Sequence, residues 1–199
     1  MKKFLSIMMA LVFALSVAAC GSDNKQPAQN SSSAQQEQQA QPKKEAPKED
    51  PNATADQKNA VKKARSYVQT VGMAKSKIAG QLVQFDKFSE ADAEYAVNHL
   101  TDIDWNKVAL KKAESYVKTV GLAKSKIAGQ LVNFEGFTQE EADYAVANMK
   151  ADFKAAALRK AQSYQQNMNM SVEGIRQQML QFEGFTEEEV EYAISKLQK

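Results

Sequence analysis

The stretch "FEGFTEEEVEYAI", residues 182–194, decides the fold because the chain contains it three times. The two other copies read "FEGFTQEEADYAV" at 134–146 and "FDKFSEADAEYAV" at 85–97. Successive copies start 49 and 48 residues apart, a period that is typical of tandem supersecondary units. We therefore predict that most of the chain is a repeat array.

The repeated region extends well beyond this stretch. Residues 60–100 match 109–149 at 26 of 41 positions without a gap, and 109–149 match 157–197 at 17 of 41. Neither alternating β-branched residues nor hairpin dipeptides occur in these segments. We predict an all-α fold of three tandem, helix-turn-helix-like units, each made of three short helices.

The first two helices of each unit are predicted from the spacing of their apolar residues. In the first unit, the first helix carries apolar side chains at helical intervals: Ala60, Val61, Ala64, Tyr67, Val68 and Val71. This helix should end at Gly72, Gly121 or Asn169, since glycine and asparagine tolerate a left-handed C-cap. The second helices carry the matched apolar residues Ile78, Leu82, Val83, Ile127, Leu131, Val132, Ile175, Met179 and Leu180, of which the Leu, Ile and Met side chains should lie in the core.

The third helix of each unit starts inside the repeated stretch. Thr186 is a predicted N-cap, and Glu189 at the third helical position should complete a capping box. Phe185 should pack on Val190 as a hydrophobic staple. The capping pattern recurs as Thr138 with Glu141 and Ser89 with Asp92. The first phenylalanine of each copy is predicted to close the core of its unit: Phe85, Phe134 and Phe182.

Two aromatic residues mark the joints between units. Trp105 and Phe153 each follow an aspartate, Asp104 or Asp152, that can cap the first helix of its unit. The first unit has Asp56 at the corresponding position. Each aromatic side chain either packs across its joint or extends the apolar stripe of its own helix, and the sequence leaves both readings open.

The chain starts with a predicted secretory signal, "MKKFLSIMMALVFALSVAAC". Two lysines precede an apolar run that is too short and wrongly flanked for a membrane span. The last four residues look like a bacterial lipobox, in which Cys20 would receive a diacylglycerol carrying fatty acyl chains such as palmitate. Because Cys20 is the single cysteine, no intrachain disulfide can form. We expect a lipoprotein on the extracellular face of the cell membrane.

The segment after Cys20 has the composition of a disordered tether. It contains all four prolines and lacks aromatic, Leu, Ile, Val and Met residues, so it cannot bury enough apolar surface to fold. Such spacers are typical of Gram-positive surface lipoproteins. The predicted organisation is a signal peptide at 1–19, the lipidated Cys20 and tether at 20–58, and repeats at 59–101, 104–150 and 152–199.

Neither catalysis nor DNA binding is expected. The chain has one histidine, His99, which we interpret as a solvated surface residue, and it has no phosphate loop or nucleophile elbow. In "DIDWN", Lys107 occupies the position where a calcium loop requires glycine. The third helices begin with carboxylates, which a phosphate backbone repels. We therefore predict no enzyme, no metal, no cofactor beyond the covalent lipid and no nucleic-acid partner.

The combination of lipobox, tether and repeats resembles the host cell surface-exposed lipoprotein (Ltp-type) family. The matching motifs are "ALKKAESY" at 109–116, "ALRKAQSY" at 157–164, "MSVEGI" at 170–175, "FEGFTQEEA" at 134–142 and "FEGFTEEEV" at 182–190. The first unit departs from the pattern with Asp86-Lys87, and the first two units lack "MS" before the second helix. The family occurs in Gram-positive bacteria and their prophages, and its repeat is a three-helix unit.

The resemblance implies phage superinfection exclusion. Prophage members of the family block DNA injection, and an acidic face of their repeats is thought to bind the phage tape-measure protein. Carried over to this chain, the candidate binding residues are Glu135, Glu140, Glu141, Asp143, Glu183, Glu187, Glu188, Glu189 and Glu191. The alternative is a host surface lipoprotein with a role in adhesion or in binding a wall-associated protein. The oligomeric state is not predicted.

Overall fold

The structure, a computed structural model, describes residues 50–197. Over this range it contains helices and no strand, so the prediction of an all-α fold with three repeats is confirmed. The predicted signal peptide, Cys20 and most of the predicted tether lie outside the described residues.

Each repeat consists of three helices, one of which continues into a π-helical turn. Repeat 1 comprises α1 (Ala55–Ser66), its π-helical turn (Tyr67–Val71), α2 (Lys75–Gln84) and α3 (Glu90–Asn98). Repeat 2 comprises α4 (Trp105–Val120), α5 (Lys124–Gly129), its π-helical turn (Gln130–Glu135) and α6 (Gln139–Asn148). Repeat 3 comprises α7 (Phe153–Met168), α8 (Val172–Gln178), its π-helical turn (Met179–Glu183) and α9 (Glu187–Lys196).

Helix α1 begins four residues before the expected boundary at residue 59. Thr54 is its N-cap, and the Thr54 hydroxyl accepts a hydrogen bond from the Gln57 backbone N–H at 3.1 Å. The Gln57 side chain accepts one from the Thr54 N–H at 3.0 Å, which completes a capping box. Residues 55–58, which we expected in the tether, are therefore helical and part of repeat 1.

The ends of the first helices lie where the sequence placed them. Gly72, Gly121 and Asn169 are C-caps in the left-handed conformation, with φ values of 66°, 67° and 51°. The N-terminal caps of the second and third repeats are also confirmed. The side chains of Asp104 and Asp152 accept hydrogen bonds from the N–H groups of Lys107 and Ala155, at 3.2 and 2.9 Å.

The core of each repeat forms around its second helix, as predicted. The fully buried side chains on these helices and their π-helical continuations are Ile78, Leu82, Ile127, Leu131, Ile175 and Met179. Phe185 is 4% exposed and lies in the same core cluster as Val190, in agreement with the hydrophobic staple. One cluster belongs to repeat 1, and a second runs through repeats 2 and 3.

The prediction that the first phenylalanine of each copy closes the core is wrong. Phe85, Phe134 and Phe182 are 69%, 70% and 64% exposed. The second phenylalanine of each copy fills the core position, since Phe137 and Phe185 are buried and Phe88 packs half-buried against the repeat 1 cluster. Val71 and Leu180, also expected on buried faces, are exposed.

The joint between repeats 1 and 2 settles the question about Trp105. Its ring is half-buried and packs against the core cluster of repeat 1, together with Ile103 and Val108. Trp105 is the first residue of α4, so its side chain reaches back into the preceding repeat. Phe153 packs against the cluster that repeats 2 and 3 share. Packing across the joint therefore holds for Trp105.

Candidate functional site: acidic helix starts and braced turns

The nine candidate carboxylates come from two places in repeats 2 and 3. Glu135 and Glu183 end the π-helical turns, whereas the others lie on α6 and α9. Both helices begin with a complete capping box. The N–H groups of Thr138 and Thr186 donate to the side chains of Glu141 and Glu189, each at 2.9 Å. These two carboxylates therefore serve the helix starts.

The start of α3 in repeat 1 has Asp92 where repeats 2 and 3 have a glutamate, and the shorter side chain does not complete the capping box. The Ser89 hydroxyl accepts a hydrogen bond from the Asp92 N–H at 3.1 Å, as expected for an N-cap. The shorter Asp92 carboxylate accepts from the Ser89 hydroxyl and does not return to the N-cap backbone. The expectation that Ser89 and Asp92 repeat the full capping box is therefore wrong, and this helix start is only half built.

Glu135 and Glu183 brace the turns in which they lie. Glu183 accepts a short hydrogen bond from the Tyr164 hydroxyl and pairs with Lys160 at 3.5 Å. Burial and the neighbouring Glu183 carboxylate raise the pKa of Tyr164 to about 12. Each carboxylate side chain is only about one-fifth exposed, at 22% and 19%.

The same brace is present in all three repeats. In repeat 2, Glu135 accepts a short hydrogen bond from Tyr116 and pairs with Lys112 at 3.2 Å. In repeat 1, Asp86 accepts from the Tyr67 hydroxyl at 2.6 Å and pairs with Lys63, also at 3.2 Å. Sequence analysis missed this feature. The sequence pattern that marks the brace is a lysine, a tyrosine four residues later, and an Asp or Glu nineteen residues after the tyrosine.

The remaining acids of repeat 3 form an exposed cluster around the start of α9. Glu188 pairs with Lys154 of α7 at 2.7 Å, although its side chain is 77% exposed. This hydrogen bond lowers the pKa of Glu188 and raises that of Lys154. Glu191 contacts Arg176 of α8, which also pairs with Glu173 at 3.3 Å. Glu187 makes no ion pair or hydrogen bond to another described side chain.

Repeat 2 presents fewer acids at its equivalent corner. The Asp143 carboxylate accepts a hydrogen bond from the Gln139 side chain at 2.8 Å within α6. Glu140 is exposed, and among residues 50–197 it has no side-chain partner. The exposed charge that can meet a partner is therefore concentrated at Glu187 and Glu188, with Glu140 as the weaker counterpart.

We interpreted His99 as a solvated surface residue. The structure shows that its side chain is instead held by several contacts. It is the half-buried C-cap of α3, and its ring stacks on Tyr95 at a centroid distance of 3.8 Å. Its Nδ1 lies 2.8 Å from the Tyr95 carbonyl oxygen. The His99 carbonyl accepts a hydrogen bond from Arg65 at 3.2 Å, and Arg65 also forms a two-bond ion pair with Asp102. These contacts hold the end of repeat 1.

Two further properties concern membranes and metals. No helix within residues 50–197 has both the length and the apolar composition that a membrane crossing requires. The described residues also contain no group of three or more His, Cys, Asp or Glu side chains arranged to hold a metal ion.

A comparison with protein families agrees with this repeat architecture. The family model described as "Host cell surface-exposed lipoprotein" matches residues 56–100, 104–149 and 152–197. A solved Ltp, a superinfection exclusion protein from the Streptococcus thermophilus temperate phage TP-J34, is 48% identical. The match covers 49% of this chain and 99% of that one, with a TM-score of 0.47. No curated protein matches significantly. The family model matches more than half of this chain, which therefore belongs to the host cell surface-exposed lipoproteins.

Proposed function

We propose that this lipoprotein excludes superinfecting phages by binding a protein of the incoming particle, so that DNA injection is blocked. Superinfection exclusion is the activity in the name of the solved Ltp. The proposed partner is a basic segment of the phage tape-measure protein, and the proposed anchor is a diacylglycerol on Cys20 at the outer face of the cell membrane. The repeats would then stand where an injecting phage first meets the membrane.

The exposed acids at the start of α9 carry this proposal. Four of the nine candidate carboxylates are engaged in capping boxes or turn braces, namely Glu141, Glu189, Glu135 and Glu183. Glu187 and Glu188 stand on the first turn of α9 and point to solvent. Exposed charges of one sign raise the association rate with an oppositely charged partner and add little to stability.

The sharpest test reverses both charges and measures exclusion. In the double variant Glu187→Lys with Glu188→Lys, we expect phages blocked by the wild type to plate efficiently. The melting temperature should fall by only a few degrees, because both side chains are exposed and the lost pair with Lys154 is a surface pair. The helix dipole adds a small penalty for positive charge at this end.

A matched control is available in repeat 1. Glu90 and Glu94 are exposed on α3 at positions equivalent to Glu187 and Glu191, so Glu90→Lys with Glu94→Lys makes the same change in net charge. This control should leave exclusion intact. If the repeat 3 variant were folded, displayed on the surface and still excluding phages, the acidic start of α9 would not be the binding site. The role in adhesion or wall-protein binding would then be favoured.

The anchor is tested separately. Cys20→Ser should release the repeats from the membrane fraction after export, because the lipid would have no attachment atom. The circular dichroism spectrum should not change, since the core clusters lie between Ala60 and Leu197. Retention of the exported variant in the membrane fraction would contradict lipidation at Cys20.

A further inference from the structure

The joints between repeats bring lysines next to exposed phenylalanines. At the joint of repeats 1 and 2, the Ser76 hydroxyl donates a hydrogen bond to the Gly136 carbonyl at 2.6 Å. At the next joint, Ser125 donates to Gly184 at 2.8 Å. Each glycine lies two residues after an exposed phenylalanine, and each serine lies between two exposed lysines. The four lysines are Lys75, Lys77, Lys124 and Lys126.

At both joints the glycine backbone lies close to a lysine side chain of the preceding repeat. A Cβ on Gly136 would lie 2.8 Å from Cε of Lys77, and one on Gly184 would lie 3.3 Å from Cε of Lys126. The backbone of Phe134 and Phe182, two residues before these glycines, therefore lies near a lysine of the preceding repeat. We call each group of two lysines and one phenylalanine a joint patch: Lys75, Lys77 and Phe134 at the first joint, and Lys124, Lys126 and Phe182 at the second.

The positive charge of these patches is not neutralised locally. Within residues 50–197, none of the four lysines forms an ion pair with a carboxylate. The acids next in sequence to the phenylalanines, Glu135 and Glu183, are already paired with Lys112 and Lys160 of their own repeats. Each joint patch therefore presents two cations and one aromatic ring to solvent.

In repeats 2 and 3 the second phenylalanine of the copy is buried, whereas the first is exposed. The exposure of Phe134 and Phe182, at 70% and 64%, recurs in repeats that differ at most other surface positions. Lysines that bind anionic headgroups, beside an aromatic ring that enters the headgroup region, are the side chains that favour attachment to a membrane surface.

We propose that the joint patches bind an anionic phospholipid surface. The chain belongs to a family of surface lipoproteins, so a bilayer is within reach of the array. Attachment through both joints would hold the repeat array against the membrane.

Vesicle binding by the chain from residue 21 to 199 tests this proposal without interference from the lipid anchor. All residues of both core clusters are retained in this chain. We expect it to sediment with vesicles of phosphatidylglycerol and phosphatidylcholine in equal parts, to stay in solution with phosphatidylcholine alone, and to be released by salt. Failure to bind the phosphatidylglycerol vesicles at low salt would overturn the proposal.

Charge variants then locate the binding surface. Changing Lys75, Lys77, Lys124 and Lys126 to Gln should weaken vesicle binding at least about 25-fold, which is the loss for two lysines at roughly fivefold each. The matched control changes four exposed lysines outside the patches to Gln: Lys62, Lys111, Lys118 and Lys150. The control should weaken binding less than about fivefold. Equal losses in the two variants would show a general charge effect and overturn the proposal.

A fluorescent reporter separates membrane contact from other anionic partners. Trp105→Phe removes the only tryptophan, and Phe134→Trp places a new one in the first joint patch. Its emission should shift to shorter wavelength with phosphatidylglycerol vesicles, and it should not shift with inorganic phosphate or poly-glutamate. Binding to vesicles without a shift would overturn the contact by the phenylalanine. Binding of poly-glutamate as tight as that of vesicles would show an acidic polypeptide partner instead.

Discussion

The turn between the second and third helices is built from different residues in repeat 1 and in repeats 2 and 3. Gly136 and Gly184 occupy it in the later repeats, with φ values of 81° and 77°. Lys87 occupies the same position in repeat 1 with φ 63°. The backbone is left-handed in all three, so the conformation alone does not decide which residue is present.

The neighbouring repeat explains the difference. A Cβ on Gly136 would lie 2.6 Å from the Ser76 hydroxyl oxygen, so Ser76 would have to move and the hydrogen bond that it donates to Gly136 would be disturbed. Gly184 is equally constrained by Ser125. No copy of the repeat precedes Lys87 in the sequence, so a side chain at that position meets only the moderate strain of a left-handed backbone. The departure from "FEG" marks repeat 1 as the first of the array.

The opposite end of the array shows the complementary change. Ala74 and Ala123 precede the second helices of repeats 1 and 2, and both are fully buried. Ala74 belongs to the core cluster of the later repeats, so the next repeat covers it. The equivalent residue of repeat 3, Ser171, is exposed, and it caps α8 by accepting a hydrogen bond from Gly174 N–H at 3.1 Å. The missing "MS" of the first two repeats is therefore a consequence of the joints.

The largest predicted effect separates the two phenylalanines of one turn. Phe185→Ala should lower the free energy of unfolding by about 3 kcal/mol, because it empties a buried site and removes the staple. Phe182→Ala should change it by less than about 0.5 kcal/mol, since that ring is mostly exposed. Urea unfolding measures both. Similar losses in the two variants would contradict the assignment of buried and exposed rings.

The comparison between the turns predicts the next largest effect. Gly136→Ala should cost about 2 kcal/mol, from left-handed strain together with the clash at Ser76. Lys87→Ala should change the free energy of unfolding by less than about 0.5 kcal/mol. Both residues carry a Cβ in the same left-handed conformation, and position 87 does not lie at a joint between repeats. Urea denaturation of the two variants measures both changes. Equal losses of stability in Lys87→Ala and Gly136→Ala would contradict the role of the joint.

A pH-dependent effect is expected from the brace of repeat 3. The folded state raises the pKa of Tyr164 to about 12, above the value of about 10 for an unperturbed tyrosine. The folded state therefore holds its proton more tightly, and the stability that this adds is present below pH 10 and lost as the pH rises towards 12. Burial is the main cause of this raised pKa, and it also raises the pKa of Tyr116 in repeat 2.

Tyr164→Phe should make this decline in stability between about pH 10 and 12 shallower than in the wild type. Urea midpoints measured at several pH values would show it, and spectrophotometric titration should lose a phenol that ionises at about pH 12. Tyr192→Phe on the exposed side of α9 serves as the control. An unchanged pH profile in Tyr164→Phe would mean that the brace does not protect the Tyr164 proton.

The local architecture of this protein follows from the order of its residues. The 48- and 49-residue periods gave the three repeats, and apolar spacing gave the helices and their buried faces around Ile127 and Leu131. Helix ends were predictable wherever local chemistry sets them, as at Gly121 and Thr186. These features depend on neighbours within about one helical turn, so the order of residues is sufficient to specify them.

Which face of each turn is covered depends on contacts that form when the repeats fold. Phe134 and Phe137 have the same apolar character three residues apart; the staple pattern predicts burial of the second, and only the packing shows that the first lies in solvent. The candidate acids are divided in the same way. Glu183 faces Tyr164 on another helix, whereas Glu187, four residues later, faces water. Contacts between distant segments set these outcomes, and a single sequence does not encode them in any local period.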